Sequence, residues 1–205
     1  VPLAAQWLLD NFHLVEQQLT QIASDLPPGY YRQLPKVASG PFAGYPRVLE
    51  LAWAYVAHTD SLVSGTVLRS FVQAYQSVQT LTIAELWAVA ITLRIVLVEN
   101  MRRLAVQISE AHAQRIAADQ LMDTAALALP VEATDLSEIF AAQIAKRLRG
   151  CDPSETPMLG LLEERLKGQG TTLDDVVGRA HARQGASNVT MRNIVTSMRT
   201  LSEMD

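Results

Sequence analysis

The residues of this chain best equipped for chemistry fall into three groups. The first is Gly29-Tyr30-Tyr31-Arg32-Gln33-Leu34-Pro35-Lys36, followed by Gly44-Tyr45-Pro46-Arg47. Aromatic rings interleaved with cations can stack on sugars and bond their hydroxyls. Tyr30, Tyr31, Arg32, Lys36 and Arg47 therefore form a candidate carbohydrate or protein docking surface. The plainer role, which the sequence favours, is structural: backbone without helical hydrogen bonds needs anchors, and the tyrosines can pin an irregular loop onto neighbouring helices.

The second group is Trp53, Tyr55, His58, Thr59 and Asp60. His58 and Asp60 can form an acid-base pair, but no nucleophile lies nearby in sequence. A histidine at a helix C-terminus with an aspartate capping the following turn needs no catalytic explanation. The third group lies further on. Glu99 precedes Arg102 and Arg103 by three and four residues, the spacing of ordinary intrahelical ion pairs. Arg94 instead interrupts an apolar run, so its guanidinium requires a partner from elsewhere. Asp60 or Glu50 is the expected carboxylate; Glu85, nine residues away, lies nearly opposite on a helix.

Other chemistry is missing from the sequence. There is no glycine-rich phosphate loop, GxSxG elbow, HExxH pair or Asp-x-Asp cluster. The four histidines are scattered and Cys151 is alone, so neither a local zinc motif nor an intrachain disulfide is expected, and a reducing compartment fits best. We expect no catalytic residue, metal or cofactor. A net charge of −4 lacks the basic field that nucleic-acid binding draws on. Asn188-Val189-Thr190 matches a glycosylation sequon of low specificity.

The elements that must position these groups are helical. Leu8, Phe12, Val15, Leu19, Ile22 and Leu26 form one stripe on a helix over 3–26, stopped by Pro27-Pro28-Gly29. Residues 30–46 are extended or turning. Helices follow over 47–58 and 64–78. Thr82-Ile83-Ala84-Glu85 has the form of a capping box, opening a helix that can run to Met122, roughly 60 Å at 1.5 Å per residue. It is apolar on nearly every side from Leu86 to Val98, then narrows to a stripe through Met101, Leu104, Ile108, Ala111 and Ile116. Its apolar run is shorter than the ~20 residues a bilayer needs, and Arg94 would cost about 2.5 to 3.5 kcal/mol at a membrane centre. Further helices are predicted with caps at Thr134 or Asp135 (ending at Leu148), at Thr172, and at Ser187 or Asn188, and one starts at Pro157.

No alternating strand pattern or repeat occurs. The fold class is all-α, a multi-helix bundle around a long central hydrophobic helix. We expect a single helical domain over 1–205, with 129–134 or 150–157 as the candidate subdomain boundary. With no Met before Val1 and no stop signal at the end, it reads as a piece of a longer protein.

Several strings carry a resemblance. Trp7-Leu8-Leu9-Asp10-Asn11-Phe12-His13, Leu26-Pro27, Gly29-Tyr30-Tyr31-Arg32, Leu34-Pro35-Lys36, Tyr45-Pro46-Arg47 and Trp53-Ala54-Tyr55-Val56-Ala57-His58-Thr59-Asp60 are similar to the amino-terminal region of cyclic β-1,2-glucan synthases. So are Glu85-Leu86-Trp87-Ala88, Leu93-Arg94 and Val98-Glu99-Asn100-Met101-Arg102-Arg103-Leu104. The likeness is dense in the first half and returns from Ser187. Such synthases are large bacterial inner-membrane enzymes that polymerise glucose from UDP-glucose and cyclise the product; their glycosyltransferase and phosphorylase motifs are not in this chain.

The resemblance therefore implies a cytoplasmic helical region of a synthase, without a membrane span of its own, whose partners are the remaining domains of the same chain. Two roles compete: a non-catalytic scaffold or interaction module, and an accessory surface for β-1,2-glucan or nucleotide sugar. The second would be built on Tyr30, Tyr31, Arg32, Lys36, Arg47, His58, Asp60 and Arg94.

Overall fold

The computed structural model describes residues 2–123, 136–148 and 157–203. Among these the chain forms nine helices and no strand: α1 (Leu3–Asp10), α2 (Phe12–Asp25), α3 (Tyr30–Gln33), α4 (Arg47–His58), α5 (Gly65–Val78), α6 (Ile83–Asp123), α7 (Glu138–Leu148), α8 (Pro157–Gly168) and α9 (Leu173–Glu203). The expected all-α bundle with a long hydrophobic helix is what forms. The chain divides into two compact units, residues 1–105 with 188–205, and residues 106–187. The divisions fall inside α6 and α9. The two candidate boundaries, 129–134 and 150–157, lie outside the described residues except for Pro157.

In the first unit the core is built from Leu51, Ala52, Tyr55 and Val56 of α4, Leu93, Val96, Leu97 and Met101 of α6, and Met191, Ile194, Val195, Met198 and Leu201 of α9. The predicted capping box forms at the start of α6. The Glu85 amide donates to Thr82 Oγ1 at 3.2 Å, and the Thr82 amide donates to Glu85 Oε2 at 2.9 Å. Each satisfies a group the first turn leaves orphaned.

Three sequence expectations change here. The helix over 3–26 is two helices, broken at Asn11, and its buried line runs through Asn11, Leu14 and Gln18 while Phe12 and Leu19 are exposed. The apolar stripe was not the buried one, because Gln18 is drawn inward by hydrogen bonds to α6 and α9. The first two turns of α6 are open on one side, at Ile83, Leu86, Trp87 and Ala90. No helix begins at Ser187 or Asn188, since α9 passes through both without interruption.

The second unit packs the end of α6, α7, α8 and the start of α9 around Ala118, Ala141, Ile144, Leu148, Met158, Leu162, Leu166 and Val176. Buried Ala118, rather than Ile116, continues the α6 stripe; Ile116 is exposed. Pro157 opens α8, and Thr172 caps α9, its Oγ1 accepting from the Asp175 amide at 3.2 Å. The caps predicted at Thr134 or Asp135 lie outside the described residues; Ser137 Oγ accepts from the Phe140 amide at 3.2 Å and does that work for α7. No described helix is long and apolar enough to cross a membrane.

Candidate functional site

The tyrosine-rich segment is held by the amino-terminal half of α6. Gly29, at φ +81, turns the chain into the single helical turn α3, a left-handed conformation that glycine reaches without a Cβ clash. α3 then directs two hydroxyls onto α6. Tyr30 OH donates to the Ala84 carbonyl at 2.7 Å, and Tyr31 OH shares a 2.6 Å hydrogen bond with Thr92 Oγ1. Lys36 Nζ donates back to the Tyr31 carbonyl. The rings of Tyr30 and Tyr31 meet edge to face at 6.4 Å. Burial pushes the Tyr31 phenol above its ordinary pKa, the Thr92 bond opposing it in part.

The chain then makes a tight excursion and returns. Lys36 pairs with Pro46 and Val37 with Ala43, and the Arg47 amide donates to the Pro35 carbonyl at 2.9 Å. This delivers Arg47 to Glu85. Arg47 Nε donates to Oε1 at 3.0 Å and a terminal nitrogen donates to Oε2 at 2.7 Å, a two-pronged geometry. The Glu85 side chain is fully buried. Burial alone would raise its pKa; the Arg47 hydrogen bonds, the Thr82 amide and hydroxyl, and the Arg47 charge outweigh it, so the carboxyl titrates below its ordinary range. Tyr30, Tyr31, Lys36 and Arg47 are thereby brought together, each engaged in holding this segment. Arg32, in the same turn, is exposed.

The other candidates lie elsewhere. Arg94 is 2% exposed and donates to Gln18 Oε1 and to the Leu201 carbonyl, both at 2.8 Å. These acceptors, on α2 and α9, stand where Asp60 or Glu50 was expected. Gln18 also donates to Ser202 Oγ at 2.8 Å, so one amide joins three helices.

His58 and Asp60 serve different neighbours. His58 Nδ1 lies 3.0 Å from the Ala54 carbonyl of its own helix. Asp60 and Ser61 are consecutive left-handed residues, φ +48 and +66, a strained arrangement for residues with side chains. One face of α9 holds them. Thr190 Oγ1 donates to Asp60 Oδ1 at 2.6 Å, Asn193 Nδ2 to the Asp60 carbonyl at 3.0 Å, and Ser197 Oγ to the Ser61 carbonyl at 2.7 Å. Ser197 Oγ also accepts from the Val63 amide at 2.7 Å. Asn193 and Ser197 were not singled out in the sequence, and Thr190 only as part of a sequon; the signal was their spacing of three and four residues.

A third arrangement was missed as well. Trp53 is flanked by Phe42, with ring centroids 6.0 Å apart, and by the Arg103 guanidinium, 4.6 Å above its ring. Arg103 and Arg102 also pair with Glu99, each at 2.8 Å. Their hydrogen bonds, Arg102 first, lower the Glu99 pKa to about 2. Among the described residues no group of three or more metal-ligating side chains occurs.

The chain is 36% identical over 213 residues to the cyclic beta-(1,2)-glucan synthase NdvB of Rhizobium meliloti (strain 1021), an alignment covering 98% of this chain and 8% of that protein. No protein-family profile matches the chain.

Proposed function

Because this chain belongs to the cyclic β-(1,2)-glucan synthase family, we propose that it is a non-catalytic helical module of such a synthase, a scaffold on which other parts of the polypeptide assemble. The reading places it in the amino-terminal region, on the cytoplasmic side of the inner membrane, in an enzyme that builds glucan from UDP-glucose. One observation carries the non-catalytic part. Tyr30, Tyr31, Lys36, Arg47, Asp60 and Arg94 are all engaged in bonds within the fold. A ligand using these groups would have to break the contacts that position them, and a buried polar group deprived of its partner costs about 1 to 3 kcal/mol.

The test is titration of the chain with linear β-1,2-glucan and with UDP-glucose, followed by amide chemical shifts and heat, with helical circular dichroism as the control for folding. The module reading expects no saturable response at millimolar ligand. Saturable shifts at Tyr30, Tyr31 or Arg47 would replace it with an accessory binding surface.

A further inference from the structure

Large apolar side chains stand in solvent where α5 turns into α6. Val78 is 90% exposed, Ile83 76% and Trp87 82%, and Leu86 and Ala90 beside them are exposed too. Ile83, Leu86, Trp87 and Ala90 recur at spacings of three and four, so they occupy one face of the first two turns of α6. α5 is amphipathic yet has no buried residue. Between Ser61 and Leu93 the only charged residues are Arg69 and Glu85, and Glu85 is buried against Arg47.

Single exposed leucines are ordinary. A contiguous apolar face bordered by glutamine, serine and threonine is not, and marks a surface that is covered in use. Depletion of charge with an aromatic at the centre is the composition of a fully buried interface core. We propose that this face of α6, centred on Trp87, seats an apolar, uncharged helix face supplied by the remainder of the synthase polypeptide. The inference rests on the module reading above and names its contact surface.

Two observations select this occupant. The chain spans 8% of the synthase it matches, so most of such a protein lies outside it. A segment of the same polypeptide is present at high effective concentration without a new binding partner. From Ser61 to Leu93 the chain carries a single cation, Arg69, so α5 and the first turns of α6 lack the run of Lys and Arg by which surface-lying helices reach anionic lipid. A neutral apolar partner matches the face; an anionic one does not.

The experiment uses the full-length synthase in its native membrane, with the photoreactive residue p-benzoylphenylalanine replacing Trp87 and, in a parallel control, exposed Glu50. Irradiation is expected to yield, from position 87 only, an adduct within one polypeptide to a peptide outside this segment. A crosslinked dimer, an adduct to lipid alone, or no adduct at position 87 overturns the proposal. In the same membranes, Trp87→Glu is expected to lower glucan synthesis at least tenfold and Trp87→Leu less than threefold; equal activity of both overturns it as well. A lipid adduct removes this seat and leaves the module reading intact, whereas a saturable response to UDP-glucose removes the module reading whatever position 87 contacts.

Discussion

Arg47 and Glu85, thirty-eight positions apart in sequence, share two hydrogen bonds, and the same carboxylate receives the amide that opens α6. A capping residue has become the point where the return of the tyrosine loop is fastened. Its neighbours Tyr30 and Tyr31 fasten the outward half of that loop to the same helix.

Removal of Glu85 therefore affects two elements at once. Glu85→Ala leaves the largely buried Arg47 guanidinium without its carboxylate and is expected to destabilise the chain by about 3 kcal/mol. Thr82→Ala, which removes only a cap, is expected to cost about 1 kcal/mol. Urea denaturation midpoints at constant slope distinguish the two, and equal effects would show that the Arg47 bonds contribute nothing.

Acid should act through the same carboxylates. Glu85 and Glu99 bind protons less readily in the folded chain than their ordinary values imply, Glu99 at about 2 against 4.5. A depressed carboxyl contributes stability above its unfolded pKa, and that contribution is lost as pH falls through the folded value. Melting temperature is expected to fall from about pH 4.5 down to about 2. Glu99→Gln should flatten part of that fall and leave the rest to Glu85. An unchanged profile in Glu99→Gln would exclude its share.

The strained turn at Asp60 and Ser61 should depend on α9. Ser197→Ala leaves the Val63 amide and the Ser61 carbonyl without their side-chain partner and is expected to cost about 1 to 3 kcal/mol. Thr196→Ala, exposed on the same helix, is expected to stay within about 0.5 kcal/mol of the parent. Thermal melts of both variants suffice, and parity between them would contradict the role given to Ser197.

Tyr31→Phe deletes a single hydroxyl and keeps the ring. It is expected to cost about 1 kcal/mol and to abolish the most alkaline phenol transition attributable to this loop, since burial raises the Tyr31 pKa. Spectrophotometric titration at 295 nm reads the second effect. An unaltered high-pH phase would place that phenol elsewhere.

Much of the fold was legible because its signals are local. Pro157, Thr172 and the box at Thr82 mark helix starts through groups within four residues of one another, and all three open helices where expected. The tyrosine loop's structural role was also readable. Two features were not. Gln18 lies off the apolar stripe of Phe12, Leu19 and Ile22, and nothing near it in sequence announces Arg94. Likewise Asn193 and Ser197 look like solvent-facing polar residues until Asp60 and Ser61 are set against them. Periodicity ranks faces by apolarity, and a buried polar network built from distant segments inverts that ranking.

The last turns of α9 also bear on the order in which the chain can fold. Gln18 bonds α9 across 180 positions and Asn11 meets Arg199 across 188, while Met191, Ile194 and Met198 complete the core around Leu93 and Leu97. A nascent chain emerging from the ribosome has its first hundred residues long before it has these. Until residues 188–203 are translated, Arg94 lacks its Leu201 acceptor and the core beside it is incomplete, so this unit closes only when its last helix arrives.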